Sequence, residues 1–191
     1  MTTPQIKTLQ AGDKAPDITI TDVCGKKVSL KDMNNEHILV AFFRYSGCPW
    51  CNLAIHRLSL EYKRLAEHDC EVIAFIQSDK TEIVDNIYNR HDVRPPFPIV
   101  ADYEQKFYKK YGVRSSVIAA TKSIDKIPAW VHSVKKHGFK QSEVKGDLFL
   151  VPAMFIIDGR TKKIVKATYG TSFFDHDTFV KIYESIIFNE L

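Results

Sequence analysis

"ILVAFFRYSGCPWCNLAIHRL" occupies residues 38–58. Its first part, "ILVAFFRY", is a nearly continuous apolar run rich in branched and aromatic residues. Such a run suits a central strand covered on both faces. Past Cys51 the period changes. Ile55, Leu58, Tyr62 and Leu65 recur at helical spacing, with Arg57, Glu61, Lys63 and Arg64 between them. The spacing predicts a helix of roughly five turns that starts at the cysteines. Pro49 fits the first turn of that helix, where a missing N–H costs nothing. Cys48 and Cys51 therefore sit where a central strand hands over to a helix.

The same alternation of strand and helix runs outward in both directions. "APDITITD" (15–22) alternates apolar and polar residues as a half-buried strand does, "CGKK" (24–27) is a turn, and "VSL" (28–30) returns as a short strand. On the other side, "EVIAFI" (71–76) is strand-like and "KTEIVDNIYNRH" (80–91) helix-like. "FPIVAD" (97–102) is a strand, and "YEQKFYKKYGV" (103–113) is a helix closed by Gly112. "LFLVPAMFIID" (148–158) and "KIVKATYG" (163–170) are strands joined by the turn "DGRTK". "DHDTFVKIYESIIFNEL" (175–191) places Phe179, Ile182, Tyr183 and Ile186 on one helical face. This order implies an α/β sandwich, a mixed central sheet flanked by helices and parallel at its centre. Residues 114–146 break the rhythm and are longer than a plain connection. They are read as an inserted helical lobe, holding Trp130 and Phe139, within one domain spanning 1–191.

The bulk numbers exclude several classes. Among 191 residues, 45% are hydrophobic and 26% charged, the balance of a globular protein. The longest apolar runs are strand-sized, too short to span a bilayer. The opening "MTTPQIKTLQAGDKAPD" has no apolar signal core, so a cytoplasmic location is expected. The net charge of +4 is too small to indicate nucleic-acid binding. Within 114–146, seven basic residues against two acidic ones leave +5. A role for that lobe in docking an acidic partner or the mate in a homodimer is one reading, and an ordinary solvated face is the other.

Two cysteines three residues apart on the first turn of a helix share a face. The helix N-terminus favours negative charge, hence a Cys48 thiolate of lowered pKa. The thiolate is the nucleophile toward disulfides and peroxides. Cys51, behind the first turn, is the resolving thiol. A structural zinc site would need four ligands, usually a second paired motif, and none is present. Inert core thiols remain the plain alternative. The order strand, C-x-x-C, helix favours a redox couple. No cofactor or metal is expected.

These residues resemble the thioredoxin-fold superfamily, and within it the AhpC/TSA-type, peroxiredoxin-like proteins. "AGDKAPDITITD", "FPIVADYEQKFYKKYGV" and "FIID" resemble that family's landmarks in their order, over roughly 12–113 and 148–190. The resemblance implies a thioredoxin-like fold. It also marks departures. Peroxiredoxins carry a Pro seven residues before the peroxide-reactive Cys and a Thr or Ser three before it. Here those positions are Ala41 and Tyr45. Where the family has an Arg ahead of the "FIID" strand, this chain has Pro152. The Tyr45 hydroxyl and the Arg44 guanidinium are the groups at hand to replace them. "VPAMFIID" instead resembles thioredoxins, whose site is completed by a cis-proline. The resemblance makes Pro152 that residue, exposing the Val151 backbone beside Cys48 for a substrate peptide; the plain alternative is a trans-proline at a bulge or an edge. Thioredoxin's Trp before the first Cys is replaced by Gly47, and its buried carboxylate by Ala41 or Phe42. "CPWC" is close to the glutaredoxin-type "CPYC", so glutathione joins thioredoxin as a candidate reductant.

Trp50, between the cysteines, is expected to contact substrate or to cap the site. His56 is read as a surface or packing residue, Cys24 as a turn residue with a second resolving thiol as the alternative, and Cys70 as buried and inert. The expected activity is a thiol–disulfide oxidoreductase or antioxidant acting through a Cys48–Cys51 disulfide. Its substrates would be protein disulfides. The alternative is a thiol-dependent peroxidase, reducing hydrogen peroxide or alkyl hydroperoxides through a Cys48 sulfenic acid. A non-enzymatic binding domain using the basic lobe is the reading from a different class.

Overall fold

The computed structural model describes residues 7–121, 131, 134, 135, 138–143, 145–172, 176–188 and 191. A two-stranded antiparallel ribbon comes first, β1 (Thr19–Thr21) with β2 (Lys27–Ser29). Asp22 fixes the turn between them by accepting the backbone N–H groups of Cys24 and Lys26. Gly25, at φ +89, supplies the left-handed step that the turn requires.

The main sheet holds β3 (His37–Phe43), β4 (Cys70–Ile76), β5 (Ile99–Ala101), β6 (Ala153–Asp158) and β7 (Ile164–Tyr169). Its order is β5-β4-β3-β6-β7. β3, β4 and β5 are parallel, while β6 and β7 run antiparallel to their neighbours. The sheet is therefore mixed, with β3 at its centre, as the apolar run requires.

Alternation along β3 feeds two cores. Leu39, Ala41 and Phe43 face the side carrying helix α1 (Pro49–Glu67) and the last helix, α5 (His176–Ile187). Ile38, Val40 and Phe42 face the side filled by Tyr108, Tyr111 and Phe155. Phe42 stacks on Phe75 with ring centroids 4.8 Å apart and meets Tyr108 edge-on at 5.0 Å. Truncating such a ring to Ala costs about 3–5 kcal/mol.

Several elements are shorter than their sequence pattern. The helix expected over 80–91 is α2 (Lys80–Ile83) followed by a π-turn, Val84–Tyr88. Asp79 opens it with a reciprocal capping box to Glu82. α3 is Lys106–Lys110, and α4 is Val117–Thr121, within the 114–146 segment. The strand expected over 148–158 begins only at Ala153. Asp147 holds residues 148–150 in a turn by accepting the Phe149 and Leu150 N–H groups, and Pro152 has no N–H to give a ladder. Trp130, with Lys122 and Lys126, lies outside the described residues.

Candidate active site

β3 and β4 end side by side, and the chain leaving each one builds the site at the sheet's carboxyl edge. The Arg44 carbonyl accepts the Gln77 N–H at 3.0 Å. Two residues on, Ser46 is tied to Ser78 through both its N–H and its hydroxyl, each at 3.1 Å. Asn86 adds a bond to the Ser46 hydroxyl at 3.2 Å. These bonds fix the loop 44–47 before it enters the helix.

Cys48 is the N-cap of α1, in extended conformation at φ −77 and ψ 116, with Pro49 next. Asn52 ties the first turn to the loop. Its Nδ2 donates to the carbonyls of Ser46 at 2.6 Å and Cys48 at 2.9 Å. Its Oδ1 lies 2.6 Å from Nε2 of His91. An amide oxygen only accepts, so His91 carries its proton on Nε2. Burial, reinforced by neighbouring His56 and opposed by Asp92, lowers the His91 pKa to about 4, which keeps the ring neutral.

Both sulfurs are buried, Cys48 at 0% and Cys51 at 1% exposure, and both are free thiols. Burial opposes a Cys48 thiolate. The Cys51 thiol donating to it, the Arg44 charge, and the backbone N–H groups of Cys51 and Trp50 outweigh that opposition. The net effect lowers the Cys48 pKa to about 7. The first-turn amides are the helix N-terminus acting as the sequence predicts. Cys51 moves the other way. Burial raises its pKa, and the bond to Cys48 and the Cys48 charge raise it further. The pair thus divides into one ready thiolate and one held thiol.

Arg44 is 4% exposed. Its Nη1 donates to Cys48 Sγ at 3.8 Å, and its Nη2 donates to the Leu148 carbonyl. A buried guanidinium is costly without a counter-charge, and the Cys48 thiolate supplies one. Tyr45 is buried beside the pair. Burial and the Cys48 charge raise its pKa to about 12, so its hydroxyl stays protonated and donates to Gln141 Oε1 at 3.2 Å.

Trp50 is half-buried and packs with Leu53 against Val134 and Phe139. His56 is a packing residue, its ring 5.9 Å from that of Phe139 and 6.0 Å from that of His91. Cys70 is buried, and burial raises its pKa to about 12. Cys24 is exposed in its turn. Among the described residues no three His, Cys, Asp or Glu side chains are grouped to hold a metal ion.

Pro152 requires a correction. Every peptide bond among the described residues is trans, so Pro152 is not a cis-proline. Nor is the Val151 N–H open to a substrate, since it donates to the Arg114 carbonyl at 3.2 Å. Pro152 instead leads into β6, its carbonyl accepting Gly170 N–H at 2.8 Å. That is the position just before a strand, where a trans-proline is tolerated. Val151 and Pro152 line a cleft with Arg114, Ser116, Tyr169 and Gly170, and Cys48 does not line it.

The residues least visible in the sequence are Asn52 and His91, together with the depth to which Arg44 is buried. One signal existed for Arg44: a charge at the end of an apolar strand, four residues before a cysteine. Asn52 and His91 are 39 positions apart and carry no joint signal.

Comparison with known proteins places this site in context. The profile described as "AhpC/TSA family" matches residues 11–167. The thiol-disulfide oxidoreductase ResA of Bacillus thuringiensis (strain Al Hakam) is 32% identical over 106 residues, 55% of this chain and 59% of that protein. The chain thus spans less than two thirds of the length of the curated relatives it matches first. Peroxiredoxin Bcp of Escherichia coli (strain K12) is 26% identical over 105 residues, 55% of this chain and 65% of that protein. Peroxidoxin BcpB of Mycobacterium tuberculosis superposes with a TM-score of 0.65 at 14% identity, covering 93% of this chain and 96% of that structure, a likeness of fold.

Proposed function

Because the chain belongs to the AhpC/TSA family, we propose that it is a thiol–disulfide oxidoreductase with Cys48 as nucleophile and Cys51 as resolving thiol. One observation carries the reading. Within one buried turn, the Cys48 pKa is lowered and the Cys51 pKa raised. The names of the ResA relatives support it.

The Cys48 thiolate attacks one sulfur of a disulfide. A Cys48–substrate disulfide forms, the substrate S–S bond breaks, and one substrate thiolate leaves. The Cys48 negative charge is then gone. Two of the causes that hold Cys51 protonated, the bond to Cys48 and its charge, disappear with it, while the Arg44 charge remains. Cys51 now ionises more readily, loses its proton and attacks the Cys48 sulfur. The products are the Cys48–Cys51 disulfide and the second substrate thiolate. The protein has given two electrons. An external dithiol of the thioredoxin type, or two glutathione-type thiols, restores them.

Arg44 and Tyr45 favour a second reading, peroxide reduction. The thiolate attacks one peroxide oxygen, giving Cys48 sulfenic acid and water or an alcohol. Cys51 then condenses with the sulfenic acid and releases water. The Arg44 guanidinium beside Cys48 supplies positive charge where the leaving oxygen develops negative charge.

Stopped-flow tryptophan fluorescence separates the two readings, since Trp50 lies inside the pair. Reduced protein is mixed with hydroxyethyl disulfide or with hydrogen peroxide. The disulfide reading expects a fast phase with the disulfide that is absent in Cys48→Ser, and peroxide oxidation no faster than that of a free thiol. An undiminished phase in Cys48→Ser would sink the mechanism.

A further inference from the structure

A nucleophile must be reached, yet Cys48 is fully buried. What lies over its loop is an arm of the chain, residues 139–143. Ser142 N–H donates to the Gly47 carbonyl at 3.1 Å. The Ser142 hydroxyl accepts from Arg90 at 2.8 Å and donates to Asn86 Oδ1 at 2.8 Å. Gln141 takes the Tyr45 hydroxyl bond. Gly47 is accommodated to this arm. A Cβ at residue 47 would lie 2.8 Å from the Ser142 Cβ and 3.3 Å from the Glu143 carbonyl oxygen. The backbone at Gly47 is not in the left-handed region, so the glycine answers a need for space. The residue just before the nucleophile has given up its side chain to admit the arm.

The arm has an apolar root and a polar tip. Phe139 is 8% exposed and packs on the rings of His91 at 4.8 Å and His56 at 5.9 Å, with Leu53 and Trp50 alongside. Gln141 is exposed and Ser142 half-buried, and both hold the Cys48 loop through hydrogen bonds. Bonds of this kind, near solvent, contribute little net stability and open locally far below the cost of global unfolding. A root anchored by packing and a tip held by polar bonds make a flap.

We propose that the Gln141–Ser142 tip, seated on Gly47, is a size filter over Cys48, admitting small disulfides or peroxides and excluding the disulfides of folded proteins until the tip lifts. The proposal rests on the Cys48 nucleophile of the preceding subsection and names its substrate class. It replaces the protein disulfides expected from the sequence with small molecules as the substrates of the closed state.

The test pairs probes of one chemistry and two sizes on the reduced full-length chain, in a Cys24→Ser background that removes the exposed thiol. Alkylation of Cys48 is followed by mass spectrometry with N-ethylmaleimide and with a 5-kDa polyethylene-glycol maleimide, a bulk set by the choice of probe. Disulfide exchange is followed with hydroxyethyl disulfide and with insulin. The filter predicts that Gln141→Ala/Ser142→Ala speeds the two bulky probes about tenfold, from the loss of the three side-chain hydrogen bonds that tie the tip to Tyr45, Arg90 and Asn86. The two small probes should change less than about twofold, because the tip does not set the thiolate fraction. Gly47→Ala, which pushes the tip off sterically, should reproduce the pattern by an independent route. Unchanged bulky-probe rates in both variants, or equal acceleration of small and bulky probes, would overturn the filter. Alkylation requires only a thiolate. If neither disulfide reacts while the maleimides still show the size dependence, the exchange reading fails and the filter stands.

Discussion

The Arg44 guanidinium donates to the Cys48 sulfur at 3.8 Å from a position almost out of contact with water. Each group is poorly accommodated without the other. The charge needs an anion in the protein interior, and the thiol needs a cation to ionise there. Replacing Arg44 by Met keeps the stem and removes the charge. The titration of Cys48 should then move up from about 7 toward or beyond the ordinary thiol value of about 8.5. Thiolate absorbance at 240 nm against pH is the readout, and N-ethylmaleimide labelling at pH 7 should slow about tenfold. An unmoved midpoint would mean that the first-turn amides and the Cys51 thiol suffice.

In the wild-type protein the same pair sets a pH profile. The reactive form is the thiolate, and its fraction grows as pH rises through the lowered Cys48 pKa, about 7. Iodoacetamide labelling of Cys48 should therefore climb steeply from pH 5.5 to 7, by about tenfold per unit at the acid end, and level off above about pH 8. Cys51, with its pKa raised, should stay unlabelled over that range. A single rise near pH 9, or labelling of both thiols together, would contradict the division of roles.

Asn52 holds three partners with one side chain. Its Nδ2 binds the carbonyls of Ser46 and Cys48, and its Oδ1 pairs with the His91 ring. Asn52→Ala leaves a buried His91 N–H and the Ser46 carbonyl without this partner, while the Cys48 carbonyl keeps the backbone N–H of residue 52, a cost of about 2–4 kcal/mol. Urea unfolding of the reduced protein should show that loss as a lower midpoint with an unchanged slope. Asn52 acts on the sulfur only through the loop. The variant should accordingly slow disulfide exchange more than maleimide labelling, since exchange demands an aligned approach and a positioned Cys51.

The parts of this molecule that follow a period are legible in the sequence. The apolar run of β3 announces a strand with two covered faces, and the change of period past Cys51 announces α1. Their junction places the pair at the sheet edge. What stayed hidden depends on contacts between segments far apart in the chain. Gly47 looks like an ordinary turn glycine until Ser142 lies on it, 95 residues later. Pro152 resembled a cis-proline because "VPAMFIID" looks like the segment that carries one. The local sequence cannot show that Arg114 already occupies the Val151 N–H. Asn52 and His91 become a unit only when the loop after the π-turn folds back over α1.

The remaining two cysteines test whether the chemistry belongs to the pair. Cys70 opens β4, 2% exposed, with burial raising its pKa to about 12. Cys24 is exposed in the β1–β2 turn, ahead of the main sheet. Iodoacetamide at pH 8 should label Cys24 and Cys48 in the native protein and reach Cys70 only after denaturation. Cys70→Ala removes one buried sulfur and should cost about 1 kcal/mol, seen as a small drop in the urea midpoint. The double variant Cys24→Ser/Cys70→Ala should keep hydroxyethyl disulfide exchange within about twofold of wild type, because neither sulfur contributes to the thiolate at Cys48. Exchange lost in that variant, with the pair intact, would place one of these thiols in the electron path and displace Cys51 as the sole resolving group.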